Sequence, residues 1–132
     1  MTKIYFAISY SKRYLFDNEI NLLKTFFNDR NIELLVFVDK YNFKPDEEKI
    51  MMETAFREID SSDFLVAELT TKSIGVGIEI GYAYAKEIPI IYIRKSNSEY
   101  STTASGSSKY TFEYENENHL ITLMDELFKK IN

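Results

Sequence analysis

The chain has 132 residues, 16 Lys and Arg against 21 Asp and Glu for a formal net charge of −5, no cysteine, no tryptophan and one histidine. Thiol nucleophiles, cysteine-ligated metals, disulfide frameworks and paired-histidine metal sites are thereby excluded, and an acidic balance without a basic run argues against a nucleic-acid polymer as partner. With 45% hydrophobic residues and no apolar window near the ~20 residues of a membrane span, the expectation is one domain over residues 1–132, cytoplasmic, with no membrane partner.

Lys3 to Ser9 is an apolar run read as a buried strand. Residues 16–30 place Ile20, Leu23, Phe26 and Phe27 on one helical face. Leu34 to Val38 reads as a second strand and 39–45 as a loop; Pro45-Asp46-Glu47-Glu48 has acids where a helix start favours them, and that helix runs to about residue 60. Phe64 to Ala67 is a third strand, 70–76 a polar connection and 76–87 a helix. Pro89 to Ile93 is a fourth strand ending at Arg94, followed by a long polar loop over 95–109, a fifth strand from Tyr110 to Tyr114 and a closing helix from His119 to Ile131.

Strands alternating with helices predict a parallel sheet covered on both faces. Five strands suggest a flavodoxin-like (Rossmann-like) three-layer α/β sandwich of order 2-1-3-4-5. Ligands in such sheets sit at the carboxyl ends of the strands where the order reverses. That places a pocket between the loop after the first strand, Ser9-Tyr10-Ser11, and the one after the third, Thr70 to Ser73.

Three of the 4 glycines, Gly75, Gly77 and Gly81, fall within seven residues, so one place needs unusual backbone or close approach. Gly75 and Gly77 leave a helix start open to a ligand, and free amides there suit an anion. Glu79 lies in the early helix, where the dipole favours an ionised carboxylate able to attack a sugar carbon with oxocarbenium character. The same pattern also describes a helix-start glutamate with glycines for helix–sheet packing, and pattern alone leaves both readings open. Gly-x-Gly-x-x-x-Gly is neither the dinucleotide fingerprint nor a phosphate-binding P-loop.

The stretch Asp63 to Ala85, with its Ala-Glu-Leu-Thr and Ser-x-Gly-Val-Gly-x-Glu-x-Gly-Tyr-Ala segments, the opening Ile-Tyr-Phe-Ala-Ile-Ser strand and the hydroxyl-rich 101–108 loop, resembles the nucleoside 2-deoxyribosyltransferase superfamily. The resemblance implies that Glu79 is the nucleophile, that Tyr5 orients it beside the sugar, and that no cofactor or metal takes part. Six residues before the nucleophile, Ser73 stands where a serine marks the deoxynucleoside 5′-monophosphate N-glycosidase branch and an aspartate the enzymes of free nucleosides. Ser9 and Ser11 could complete a phosphate cradle. Ser101, in Ser101-Thr102-Thr103, occupies the stretch that relatives use to reach a neighbouring subunit's phosphate, so a homodimer or larger assembly with a shared active site is implied. The expected substrate is a small nucleotide or nucleoside. Base exchange between free deoxynucleosides, or a nucleotide-sensing module without catalysis, are the alternatives.

One departure stands out: the family's general-acid aspartate corresponds to Ala55. Asp39, the 46–48 acids and Glu58 are candidate substitutes. Tyr10, Phe37, Tyr41 and Phe43 border the expected pocket and could stack on a base. Arg94 ends a strand on the ligand side, whereas His119 reads as a surface or cap residue and Glu113 to Glu117 as a solvated acidic face.

Overall fold

The computed structural model describes residues 1–131. Five parallel strands, β1 (Thr2–Ile8), β2 (Ile32–Val36), β3 (Phe64–Glu68), β4 (Ile90–Lys95) and β5 (Tyr110–Tyr114), form one sheet of order β2-β1-β3-β4-β5. Helices α1 (Asp17–Asn28), α2 (Phe37–Lys40), α3 (Glu48–Asp60), α4 (Ile74–Ala85), α5 (Thr102–Ser107) and α6 (Glu117–Ile131) follow in the intervening positions, with a 3-10 segment over Tyr10–Phe16. The doubly wound α/β sandwich read from the alternation is the fold observed.

Strand alternation divides the core in two. Ile4, Phe6 and Ile8 of β1 join Val66, Ile91 and Ile93 beneath α1 and α6. Tyr5 and Ala7 join Leu65, Ala67, Ile90 and Tyr92 on the other face, beneath α3, α4 and α5. The period of two therefore aims Tyr5 toward α4.

Element ends depart from the sequence reading where tertiary contacts overrule it. β2 stops at Val36, its last residue in register with β1, and Phe37 begins a helical turn whose ring stacks 5.8 Å from that of Tyr5. The 95–109 segment is not all loop: Ser101 accepts a hydrogen bond from the Ala104 amide at 3.1 Å, caps α5, and lets Ala104 bury. Helix α4 begins at Ile74 rather than 76 because Ser73 caps it, its Oγ accepting from the Val76 amide at 3.3 Å. No glycine has positive φ, and a methyl added at Gly77 or Gly81 meets nothing within 4 Å, so neither unusual backbone nor close packing within the chain accounts for the cluster at 75–81.

Across the sheet a buried polar cluster fastens β3 to β5. The Tyr114 hydroxyl donates to Glu68 at 2.5 Å, and Thr70 supplies its amide at 2.6 Å and its hydroxyl at 2.8 Å to the same carboxyl. Burial raises the Glu68 carboxyl's affinity for a proton, while these donors oppose the rise.

Candidate active site

A cavity of about 690 Å³ opens at the carboxyl edge of the sheet, within the ~300–1,000 Å³ of small-molecule sites. One wall is hydroxyl and amide: Ser9 and Ser11 after β1, and Ser73, Gly75 and Val76 at the start of α4. The opposite wall is apolar, with Phe37, Tyr41 and Phe43 before α3 and Met51, Met52 and Ala55 along it. Phe37, Tyr41 and Phe43 stack among themselves, with centroids 5.1 to 6.1 Å apart. Flat apolar surface facing a helix N-terminus is the layout a base, a sugar and an anionic group require in sequence.

Glu79 lines this cavity and is 9% exposed. The Tyr5 hydroxyl, rising from β1 beneath it, donates a hydrogen bond to Glu79 Oε2. Burial pushes the Glu79 carboxyl up to about 7, with the Tyr5 hydrogen bond pulling the other way. The same burial, together with the carboxylate's charge, drives the Tyr5 hydroxyl far upward, so it remains a donor at any physiological pH. The pair is thus a positioned carboxylate that is ionised in part at neutral pH, with one oxygen held from below.

The expected site residues divide between two cavities. Ser9, Ser11, Ser73, Gly75 and Glu79 share the large one, and Tyr5 reaches it through Glu79. Gly77 and Ser101 lie in a neighbouring cavity of about 400 Å³ between α4 and α5, to which Ser73 also contributes. Ser9 and Ser11 hydroxyls are 3.3 Å apart. Tyr10, 77% exposed, stands at the mouth with Phe37, Tyr41 and Phe43 inside. Arg94 is not a lining residue: its guanidinium binds the Ser98 carbonyl at 3.0 Å and Glu113 at 3.2 Å. His119 caps a turn, its Nδ1 accepting from the Glu115 amide at 3.0 Å.

The family model described as nucleoside 2-deoxyribosyltransferase matches residues 4–124. The chain belongs to that family. A protein of Syntrophotalea carbinolica named putative 2′-deoxynucleoside 5′-phosphate N-hydrolase 1 is 46% identical over 55 residues, which span 40% of this chain and 39% of that one. Among solved structures, the CMP N-glycosidase of Clostridium botulinum superposes with a TM-score of 0.71 at 20% identity, covering 96% of this chain and 99% of its own. The 2-deoxyribosyltransferase of Bacillus psychrosaccharolyticus gives 0.67 at 14% identity, covering 91% and 90%. At such identities the two structures speak for the shared fold.

Ala55, where the resemblance led to the expectation of a general-acid aspartate, lines the pocket and is 1% exposed, so that position holds no carboxylate. Most of the candidate substitutes are committed elsewhere. Asp39 accepts from Arg13 Nε and Nη2, each at 2.9 Å. Glu58 opposes its own burial with hydrogen bonds from Lys3 at 2.7 Å, Lys40 at 2.8 Å and Tyr41 at 2.6 Å, which hold its carboxyl down to about 2. Such a group has no proton to give near neutrality. Glu47 accepts from the Lys44 amide at 2.7 Å, and Asp46 does not line the cavity. Glu48 does. Sequence reasoning left Met51 and Met52 out of the pocket, although Glu48, Met51, Met52 and Ala55 recur at one-turn intervals along a single face of α3.

Proposed function

We propose that the protein is an N-glycosidase that hydrolyses the N-glycosidic bond of (deoxy)nucleoside 5′-monophosphates. The observation that carries this reading is the buried Glu79–Tyr5 pair, set in one cavity with a serine-rich helix N-terminus on one side and an aromatic wall on the other. The Glu79 carboxylate attacks C1′ as the C1′–N bond breaks, and the bonding pair leaves with the base, which gains a proton from water. Hydrolysis of the resulting glycosyl ester consumes one water, returns the Glu79 carboxylate and releases the sugar phosphate. Tyr5 holds the attacking carboxylate in place. The phosphate rests on the first amides of α4 with the hydroxyls of Ser73, Ser9 and Ser11, where the helix dipole favours negative charge.

Ser73 separates hydrolysis of monophosphates from reaction of free nucleosides. In Ser73→Asp a carboxylate would face the phosphate dianion, and kcat/KM for nucleoside 5′-monophosphates is expected to fall at least ~100-fold, chiefly through KM, with free nucleosides unaffected or improved. Chromatography of free base from a panel of monophosphates and nucleosides checks this. Transfer of the sugar to an added base in preference to water, independent of the 5′-phosphate, would instead identify base exchange. The buried Ala55 favours one further reading, a binding module that holds nucleotide intact, which persistence of bound nucleotide with no base released over hours would establish.

The active form on this reading is a homodimer or larger assembly. Helix α4 is apolar on its outer side as well: Ile74 is 86%, Ile78 48% and Tyr84 64% exposed. A methyl at Gly77 or Gly81 meets nothing within 4 Å of its own chain, yet glycine costs ~1 kcal/mol against alanine inside a helix. Close approach of a second copy gives both glycines and the apolar stripe a purpose. It would also bring the Ser101 segment, which here lines the adjoining cavity, toward a neighbour's phosphate. Gly81→Leu is therefore expected to lower the molar mass found by light scattering to that of one chain and to leave the fold intact. An unchanged mass would refute this interface.

A further inference from the structure

We propose that Glu48 selects the base, admitting those that carry an exocyclic amino group (cytosine, adenine, guanine) and disfavouring uracil and thymine, whose one edge N–H is flanked by two carbonyl oxygens. The proposal rests on reading the cavity as a nucleotide site. Besides Glu79, Glu48 is the one carboxylate that lines it among the described residues. Unlike Asp39, Glu58 and Glu47, its side chain has no hydrogen-bond or ion-pair partner among the described residues. It shares the pocket-facing stripe of α3 with Met51, Met52 and Ala55, above the aromatic wall.

Depth distinguishes this role from that of a general acid. Helices α3 and α4 both run from the carboxyl edge of the sheet toward its base, and Phe56 of α3 stacks on Tyr82 of α4 with centroids 4.3 Å apart. In that alignment Ala55 is near the level of Glu79, whereas Glu48 is about five residues nearer the mouth, roughly 7–8 Å at ~1.5 Å per residue. The lateral spacing of packed helices, ~8–10 Å, adds to this. A carboxylate so placed lies on the mouth side of Glu79, away from the level at which C1′ would meet it. It is well placed for the far edge of a base lying along Phe37, Tyr41 and Phe43. A carboxylate accepts hydrogen bonds and, when ionised, donates none, so N–H donors are welcome and carbonyl lone pairs are repelled.

The experiment compares kcat/KM for the 5′-monophosphates of deoxycytidine, deoxyadenosine, deoxyguanosine, deoxyuridine and thymidine in wild type, Glu48→Gln and Glu48→Lys. Wild type should favour the amino-bearing bases by roughly 10–100-fold. Glu48→Gln should flatten the preference, and Glu48→Lys, which supplies donors in place of acceptors, should invert it. A preference unchanged in both variants, or absent from wild type, overturns the role of Glu48 and leaves the glycosidase reading intact. If no nucleotide is hydrolysed, calorimetric binding of the same five to Glu79→Gln decides the matter: selectivity that follows residue 48 supports the proposal, and equal binding, or none, overturns it.

Discussion

Glu79→Gln is expected to release base roughly 10⁴–10⁶-fold more slowly than wild type, the range seen when a member of a covalent catalytic unit is removed. At pH 8 it should also be the more stable protein. Burial raises the carboxyl from 4.5 to about 7 in the folded chain. A group whose folded pKa lies above its unfolded value stabilises the fold fully below about 4.5, and that contribution is lost as pH rises through 7. The separation corresponds to about 3 kcal/mol. Glutamine occupies the same space, can still accept from Tyr5 and carries no ionisation to lose. Melting curves of the two proteins should therefore nearly coincide near pH 4.5 and separate by several degrees at pH 8, with the inactive variant higher. Equal melting temperatures across that range would mean that Glu79 is not held in a desolvated site.

Tyr5→Phe should change the pH dependence of the reaction and not merely its rate. The Tyr5 hydroxyl opposes the burial-driven rise at Glu79, so its removal lets the carboxyl bind its proton still more tightly. Because the proposed mechanism needs Glu79 ionised, the acid limb of kcat/KM, expected near pH 7 in wild type, should move to higher pH. At neutral pH the loss should be roughly 10–100-fold, from lost positioning and lost ionised fraction together. Raising the pH should restore the part due to ionisation. A loss of equal size at all pH values would make Tyr5 a packing residue only.

The layers, the strand order and the location of the pocket were legible in the sequence for physical reasons. Continuous runs such as Phe64 to Ala67 and Pro89 to Ile93 have the length and composition of strands buried on both faces. Topology then places any ligand at the loops that begin with Ser9 and Thr70. What escaped depends on partners remote in sequence. The carboxyl of Glu58 is pinned by Lys3, 55 positions away, and that of Glu68 by Tyr114, 46 away, and neither pairing has a local signature. The break in β2 at Val36 follows from Phe37 finding Tyr5 as a stacking partner. Helix α5 could have been seen, since Ser101 followed three residues later by an apolar Ala104 is a plausible cap. The abundance of serine and threonine in that stretch obscured it. The separation of Gly77 and Ser101 from the Glu79 cavity arises because two faces of α4, one with Gly75, Val76 and Glu79 and the other with Ile74, Gly77, Ile80 and Gly81, turn toward different neighbours.

A glycosyl ester on Glu79 is the intermediate on which the proposed mechanism depends. Wild-type protein mixed with a deoxynucleoside 5′-monophosphate that it cleaves, quenched in acid during turnover and digested, should yield the peptide containing Glu79 increased in mass by one deoxyribose 5-phosphate unit less water. The adduct should be absent from Glu79→Gln. Free base produced at an undiminished rate by Glu79→Gln, or an adduct on any other residue, would contradict it.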